Sequence, residues 1–261
     1  MKKSTHTVEL LWPLLLVGAL LVIWQGIALL GSIPRWILPG PYDIVIALRE
    51  SAGLLLQHTR YTIFEAGLGF GIGSLLGMVL ALLMDRIHCL YRAFYPLIIV
   101  SQTIPIIFLA PLLIIWFGFG ILPKILVSIL VCFFPVTISF FDGLANVDEE
   151  LVNLLKSMGA SSGQIMTMVK LPAALPSLFS GLRISATYSI MAAVIGEWLG
   201  ASYGLGVFMT RASHAFSTAK VFAAILVVSL LSLAMLGLVN LTRKLLVPWA
   251  AWKNGNGADG M

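Results

Sequence analysis

Six long apolar runs constrain the fold of this chain more than any other feature. Each run has about 20 residues or more, which is enough for a helix to cross roughly 30 Å of hydrocarbon. Lipid offers no hydrogen-bond partners to the backbone, so such runs cross a membrane as helices. The runs cover residues 10–30, 61–84, 94–117, 122–141, 178–199 and 221–245. The sequence therefore predicts an all-α, polytopic membrane protein with six transmembrane helices.

The composition excludes a water-soluble domain. Hydrophobic residues make up 59% of the 261 residues and charged residues only 10%, whereas about a quarter of a soluble domain is charged. The net charge of +5 is small and dispersed, which gives no reason to expect a nucleic-acid partner. The two cysteines, Cys89 and Cys132, are expected to be small core residues and not a disulfide or a metal pair.

The cationic residues predict which end of the bundle faces the cytoplasm. Lysine and arginine are enriched in cytoplasmic loops, and a cytoplasmic amino terminus puts ten of the 16 on the inside. The inside set is Lys2, Lys3, Arg86, Arg92, Lys156, Lys170, Arg183, Arg243, Lys244 and Lys253. The outside set is Arg35, Arg49, Arg60, Lys124, Arg211 and Lys220. Both termini are therefore predicted to be cytoplasmic.

Two segments near the amino terminus need separate interpretation. Residues 10–30 resemble a secretion signal, but the run is too long and has no small-residue cleavage site at its end, so a retained first span is predicted. Residues 42–56 are amphipathic and follow three prolines. We expect this second segment to lie along the membrane surface.

The segment 150–176 is the longest polar, helix-prone stretch between two apolar runs. Leu151, Leu154, Leu155 and Met158 recur at spacings of three and four, which predicts a helix with one apolar face. Gly159 directly follows the last periodic residue, where a glycine can adopt a left-handed conformation and end a helix. The alternative is an ordinary loop between two spans.

A second short helix is predicted directly after this turn. Ser161 or Ser162 can cap it at its amino end. It covers residues 163–170 and is expected to end near Leu171, because Pro172 follows. The segment is thus predicted to form a helix, a turn and a second helix.

The spacing of this segment resembles the EAA loop of ABC-transporter permeases. The family's motif places Glu-Ala-Ala, a glycine, an aliphatic residue and Leu-Pro at fixed separations, and here Asn153, Leu154 and Leu155 occupy the Glu-Ala-Ala positions. The rest of the motif falls on Gly159, Ala160, Val169, Leu171 and Pro172. The resemblance implies that residues 150–176 dock on a separate ATPase subunit, which binds the ATP, so no cofactor is expected in this chain.

Other residues resemble the nitrate, sulfonate and taurine branch of these permeases. They are Leu38 to Pro41, Gln102 to Pro105, Leu109 to Leu112, Trp116 to Gly120, Gly181 to Arg183, Glu197 and Gly204 to Gly206. The resemblance implies a type I importer fold, a single permease domain over residues 1–261 and a location in a bacterial inner membrane. It also implies a substrate-binding protein outside the membrane, a second permease copy and contact with membrane lipid.

The polar residues of the third span are candidates for a translocation pathway. Ser101, Gln102 and Thr103 lie near its middle, where polar groups usually face a bundle interior or water. Pro105 follows them, and proline frees backbone carbonyls and bends a helix. The alternative is interhelical hydrogen bonding without a transport role.

Three charged residues lie at predicted span ends. Glu197, at the outer end of the fifth span, is a candidate to gate the pathway or to contact a docked binding protein, and the alternative is a carboxylate in water. Asp142 and Arg183 flank the loop and are expected to anchor the membrane interface instead of forming a buried ion pair.

Five glycines of the second span predict a tight helix contact. Gly67, Gly69, Gly71, Gly73 and Gly77 form two overlapping small-xxx-small series, and helices in lipid associate through close backbone approach. A phosphate-binding loop is the poorer interpretation, because no Lys-Ser or Lys-Thr follows.

Catalytic chemistry is not predicted. The four histidines have no metal-ligand spacing, and no Ser, His and Asp grouping indicates a nucleophile. We expect neither an enzyme nor a metal site. The chain also has no phosphate-binding loop and no run of intramembrane acids, so energy is expected to enter through another subunit.

Two other classes and several substrates stay open at this point. A secondary transporter would need internal inverted repeats, and a membrane-embedded enzyme would need a polar cluster at one interface. Within the resemblance, the solute is of the nitrate, sulfonate or taurine type, or alternatively a thiamine-pyrimidine precursor or another small aromatic.

Overall fold

The structure is a computed structural model, and it describes residues 5–30 and 33–249. All regular elements in these two ranges are helices, in agreement with the predicted all-α class. The first half of the chain contains α1 (Thr5–Leu29), α2 (Pro41–Glu50), α3 (Ala52–Arg86), α4 (His88–Ser101), α5 (Ile106–Phe117) and α6 (Leu122–Ala145). The second half contains α7 (Glu149–Ser157), α8 (Ser162–Ile165), α9 (Leu171–Trp198), α10 (Leu205–His214) and α11 (Thr218–Leu246).

The predicted six spans are present, but the third is broken. Five of the described helices are long and apolar enough to cross a membrane, and α4 with α5 makes a sixth if the pair is counted as one span. The axes of α4 and α5 differ by 102°. Pro105 has an extended conformation at the start of α5, and without a backbone N–H it cannot continue α4. The bend predicted at Pro105 is therefore confirmed, and it amounts to a break between two helices.

The predicted surface segment 42–56 is only partly correct. Its first part is α2, which ends at Glu50, whereas residues from Ala52 onward already belong to the 35-residue helix α3. Only Ser51 separates the two helices, and its N–H bonds the Ala47 carbonyl at 3.0 Å. The second span is consequently longer than the apolar run that predicted it.

Helix α6 lies at the centre of the bundle between α3 and α9. The predicted glycine contact on α3 is confirmed for Gly69, Gly73 and Gly77, which face α6 closely. An added Cβ at Gly73 would lie 2.6 Å from the Ile129 carbonyl oxygen. Gly67 and Gly71 are wrong as members of this contact, because an added Cβ at either would meet nothing within 4 Å.

The bundle has two ends, which we name by their elements. The loop end carries α7 and α8 together with the carboxyl ends of α3 and α6. The opposite end carries α10, the amino ends of α3 and α6, and the carboxyl end of α9. Helix α1 contacts mainly α2 and exposes most of its described apolar side chains, as expected of a helix in lipid.

The glycine contact predicts a sharp difference between two neighbouring positions. Gly73→Ala should destabilise the protein by roughly 1–3 kcal/mol, because the new methyl group overpacks the α3–α6 contact. Gly71→Ala adds the same methyl group on the open face and should leave stability unchanged or raise it. Thermal unfolding of the purified protein in detergent checks this, and equal shifts for the two variants would contradict the packing.

Candidate functional site

Helix α7 presents an uncovered apolar face at the loop end. None of its residues is buried, and the Leu154 side chain is 58% exposed. Met158, which directly follows the helix, is 73% exposed. The Asp148 carboxylate caps the helix by accepting a hydrogen bond from the Glu150 N–H at 2.9 Å. The predicted amphipathic helix is therefore confirmed, and most of its apolar side is exposed in the described part of the chain.

The turn after α7 is made by Gly159. Its φ of +82° lies in the left-handed region, which a residue with a Cβ adopts only at a cost. The Ala160 N–H bonds the Leu155 carbonyl at 3.0 Å and so closes the end of the helix. An added Cβ at Gly159 would meet nothing within 4 Å, so backbone conformation and not space demands the glycine.

The second helix starts as predicted but does not stop where predicted. Ser161 and Gln164 form a capping box, with the Ser161 N–H bonding Gln164 Oε1 at 2.8 Å. Helix α8 then continues through a π-helical turn, Met166–Lys170, directly into α9. The wider turn, in which the Leu171 N–H bonds the Met166 carbonyl, accommodates Pro172. The expected break near Leu171 was therefore wrong.

An ion pair fastens this continuous helix to the end of α3. Lys170 Nζ lies 2.6 Å from Asp85 Oδ1, and the Asp85 side chain is mostly buried. A cavity of about 630 Å³ separates α7 from this joint, with Val152 and Lys156 of α7 on one side and Asp85 and Lys170 on the other. The back of the loop is thus tied to the bundle while its front is open.

The predicted loop residues divide by exposure. The exposed ones are Asn153, Leu154 and Gly159, on α7 and its turn. The half-buried ones are Leu155, Ala160, Val169, Leu171 and Pro172. Asn153, at the position of the family's glutamate, is therefore available to a partner.

The predicted pathway residues do not form one cluster. Ser101, Gln102 and Thr103 lie at the break between α4 and α5, next to Pro105. The hydroxyls of Ser101 and Thr103 donate to carbonyls of their own helix end. Glu197 bonds none of these four residues and is held by α3 and α10 instead.

Glu197 is buried at the opposite end, with 1% of its surface exposed. Its Oε1 accepts from Thr62 Oγ1 at 2.7 Å, and its Oε2 accepts from the Gly206 N–H at 2.6 Å. The alternative that it is a carboxylate in water is therefore wrong. A carboxylate at this place suits the positive end of the α10 dipole.

Three successive N–H groups at the start of α10, those of Gly204, Leu205 and Gly206, are bonded by side chains from α3 and α9. The Leu205 N–H donates to Thr62 Oγ1 at 2.9 Å, and the Gly204 N–H donates to His58 Nδ1 at 2.9 Å. A Cβ at Gly204 would overlap the Glu197 carboxylate, and Gly204 has a φ of +125°. These contacts fix α10 onto α3 and α9.

A buried ion pair beside this cap was missed by sequence reasoning. Glu65 of α3 is fully buried and pairs with Lys124 of α6. Lys124 was counted among the outside cations, and that use of it was wrong because the residue is buried in this pair. The available signal was the spacing of His58, Thr62 and Glu65, which continues the close-packed face of Gly69 and Gly73 along α3.

The Glu197 cap predicts a local effect of substitution. Glu197→Gln replaces one acceptor oxygen by an NH₂ group, so that two donors face each other at Thr62 or at Gly206. The free energy of unfolding should fall by roughly 1–3 kcal/mol. Hydrogen exchange of the Gly204, Leu205 and Gly206 amides should accelerate, while that of α6 stays slow. Glu50→Gln, on the exposed end of α2, is the matched control. Unchanged exchange in α10 would contradict the cap.

Comparison with known proteins identifies relatives over nearly the whole chain. Residues 73–247 match the family described as "Binding-protein-dependent transport system inner membrane component". A "Probable ABC transporter permease protein" of Haemophilus influenzae is 42% identical over 87% of this chain and 93% of its own length. The "Formylaminopyrimidine transport permease protein ThiX" of Halalkalibacterium halodurans is 37% identical over 95% and 98%. The "Putative aliphatic sulfonates transport permease protein SsuC" of Bacillus subtilis is 33% identical over 90% and 86%.

Solved structures agree on the fold. A structure titled "Crystal structure of an amino acid ABC transporter with histidines" matches 77% of this chain and 98% of its own, with a TM-score of 0.57 and 19% identity. An inward-facing structure of the MetNI methionine ABC transporter matches 77% and 96%, with a TM-score of 0.52 and 21% identity. The fold is thus that of type I ABC importer permeases, as expected.

Proposed function

The chain belongs to the family of binding-protein-dependent transport system inner membrane components and is the permease component of an ABC importer; we propose that separate ATPase subunits drive it through α7 and the turn at Gly159. The observation that carries this proposal is the uncovered apolar face of α7. Exposed leucine and methionine side chains on a short helix outside the apolar spans favour a protein partner. No enzyme activity is part of the proposal.

Helix α9 and the segment before it form the lever that transmits the motion. The chain is helical without a break from Ser162 to Trp198, a length of roughly 55 Å at 1.5 Å per residue. The Lys170–Asp85 ion pair ties one end of this lever to α3. The Glu197 contacts tie the other end to α3 and α10. A displacement of α7 at the loop end is therefore expected to reach α10.

We infer a cycle of rigid-body motion from this connection. ATP-driven closure of the two ATPase subunits would bring the α7 helices of two permease copies together, and the bundles would rotate and change the side to which the path opens. This scheme requires the loop end to be cytoplasmic and a second copy, which we propose to be identical. A substrate-binding protein would deliver the solute at the opposite end.

The proposed solute is small, with sulfonates or taurine as the first candidate and a pyrimidine precursor of thiamine as the second. The sequence features shared with the sulfonate and taurine branch support the first. The second is favoured by the greater identity to the formylaminopyrimidine permease, 37% against 33% for the sulfonate permease. Binding of taurine, methanesulfonate and formylaminopyrimidine to the cognate binding protein, measured by calorimetry, separates the two. Binding of none of these ligands would contradict both candidates.

Substitution of Gly159 tests the docking proposal. Gly159→Val forces a β-branched residue into left-handed backbone, at a cost of roughly 1–3 kcal/mol, and should reshape the turn. We expect at least a tenfold loss of ATP-driven uptake in proteoliposomes, with hydrolysis uncoupled or the ATPase no longer bound. Gly53→Val, in open space at the opposite end, should leave both unchanged. Full uptake by Gly159→Val with normal ATPase binding would overturn the docking site.

A further inference from the structure

Arg183 lies in the middle of the bundle and not at its interface. Helix α6 runs from Leu122 to Ala145, and the residues around Arg183 contact its middle. An added Cβ at Gly181 would lie 2.7 Å from the Pro135 carbonyl oxygen, and Ser185 Oγ donates to the Cys132 carbonyl at 2.9 Å. The expectation that Arg183 anchors the membrane interface was therefore wrong, and neither Arg183 nor Lys124 belongs in the cation count that predicted the orientation.

The Arg183 side chain is exposed and faces a groove along α9. The groove is shallow and open, with a volume of about 450 Å³. Residues of α9 line it together with Leu236 of α11. The α9 side chains of the groove are Ser180, Arg183, Ile184, Thr187 and Tyr188. No acidic residue is among them, and no ion pair of Arg183 is found within residues 5–30 and 33–249.

The polar groups that line the groove do not balance the charge of Arg183. The hydroxyls of Ser180 and Thr187 donate to carbonyls of their own helix, to Pro176 at 3.1 Å and to Arg183 at 3.2 Å. The guanidinium of Arg183 carries five donors and no acceptor. The Tyr188 side chain is half-exposed beside it. The groove therefore presents a positive charge that an acceptor-rich group would satisfy.

A guanidinium at this depth is unfavourable against lipid tails. A charge on an isolated helix at the membrane centre is costly, and arginines there usually face water or an opposite charge. Here the surrounding hydroxyls make the same face of α9 polar. This face is thus expected to border an aqueous path and not the hydrocarbon.

We propose that the Arg183 groove is a passing site for the oxyanion of the transported solute, a sulfonate, carboxylate or phosphate group. The inference rests on the proposed function and narrows its substrate class. Guanidinium binds such groups through paired hydrogen bonds. A single cation in an open groove binds an anion weakly. Weak binding suits a transport path, because the solute must leave each site that it enters.

Charge-selective labelling tests the groove and does not require the solute to be identified. A Thr187→Cys reporter, one helical turn from Arg183, is placed in a Cys89→Ser background, because Cys89 is the exposed native cysteine. Anionic and cationic methanethiosulfonates of similar size then react with the permease–ATPase complex in nanodiscs, with and without ATP. We expect the ratio of anionic to cationic rates to fall about tenfold or more in Arg183→Gln. Arg183→Lys should keep most of the ratio.

Two controls separate a path from a structural role. Arg49→Gln removes an exposed arginine on α2 and should not change the ratio. In the Thr187→Cys reporter that keeps Arg183, free methanesulfonate should lower the reaction rate of the anionic reagent. The uncharged dimethyl sulfone should not change this rate. This competition needs no arginine variant and so stands even if Arg183→Gln fails to assemble.

Several outcomes would overturn the inference. A reporter that reacts with neither reagent in any nucleotide state would show that lipid or the second copy covers the groove. A ratio unchanged in Arg183→Gln, or equal competition by both sulfur compounds, would show that the groove does not recognise anions. Failure of the ATPase to bind the unsubstituted permease would instead contradict the proposed function, and the labelling ratio of the permease alone would still decide the groove.

Discussion

Close backbone contact between three helices is the constraint on which the rest of the structure depends. Glycines of α3 and α9 let both helices approach α6 to a distance that side chains would prevent. In lipid there is little hydrophobic force between helices, so such packing and a few polar contacts hold the bundle together. A core joined in this way can move as one body, which a mechanism driven from outside requires.

The two ends of the bundle are built differently, and the difference fits their proposed roles. At the loop end, α7 is tied at its back through Lys170 and Asp85 and left open at its apolar front. At the opposite end, three successive N–H groups at the start of α10 are bonded by His58, Thr62 and Glu197. One end thus has surface left for a partner, while the contacts at the other end join α9 to α10, as the proposed transmission of motion requires.

The sequence predicted what depends on composition and local periodicity. The spans, the apolar face of α7, the turn at Gly159 and three of the five close-packed glycines follow from such patterns. The break at Pro105 was expected only as a bend, because the angle depends on how α5 packs. The continuity through Pro172 could not be predicted, since a π-helical turn has no simple sequence pattern.

Long-range polar contacts were the main failure. Glu65 with Lys124, and Glu197 with Thr62, join residues that are 59 and 135 positions apart. Charged residues near span ends are usually interfacial, so the sequence placed Lys124 and Arg183 outside the bundle core and left a carboxylate in water open for Glu197. Only the register between packed helices shows that Lys124 and Glu197 are buried in the bundle and that Arg183 lines a groove at mid-height.

The central claim is that α7 lies on the cytoplasmic side of the membrane and is covered there by the ATPase. A Leu154→Cys variant in a Cys89→Ser background can be labelled with an impermeant thiol reagent in right-side-out and in inverted membrane vesicles. The account predicts labelling only in inverted vesicles stripped of the ATPase, and protection when purified ATPase subunits are added back. Labelling in right-side-out vesicles, or no protection by the ATPase, would contradict it.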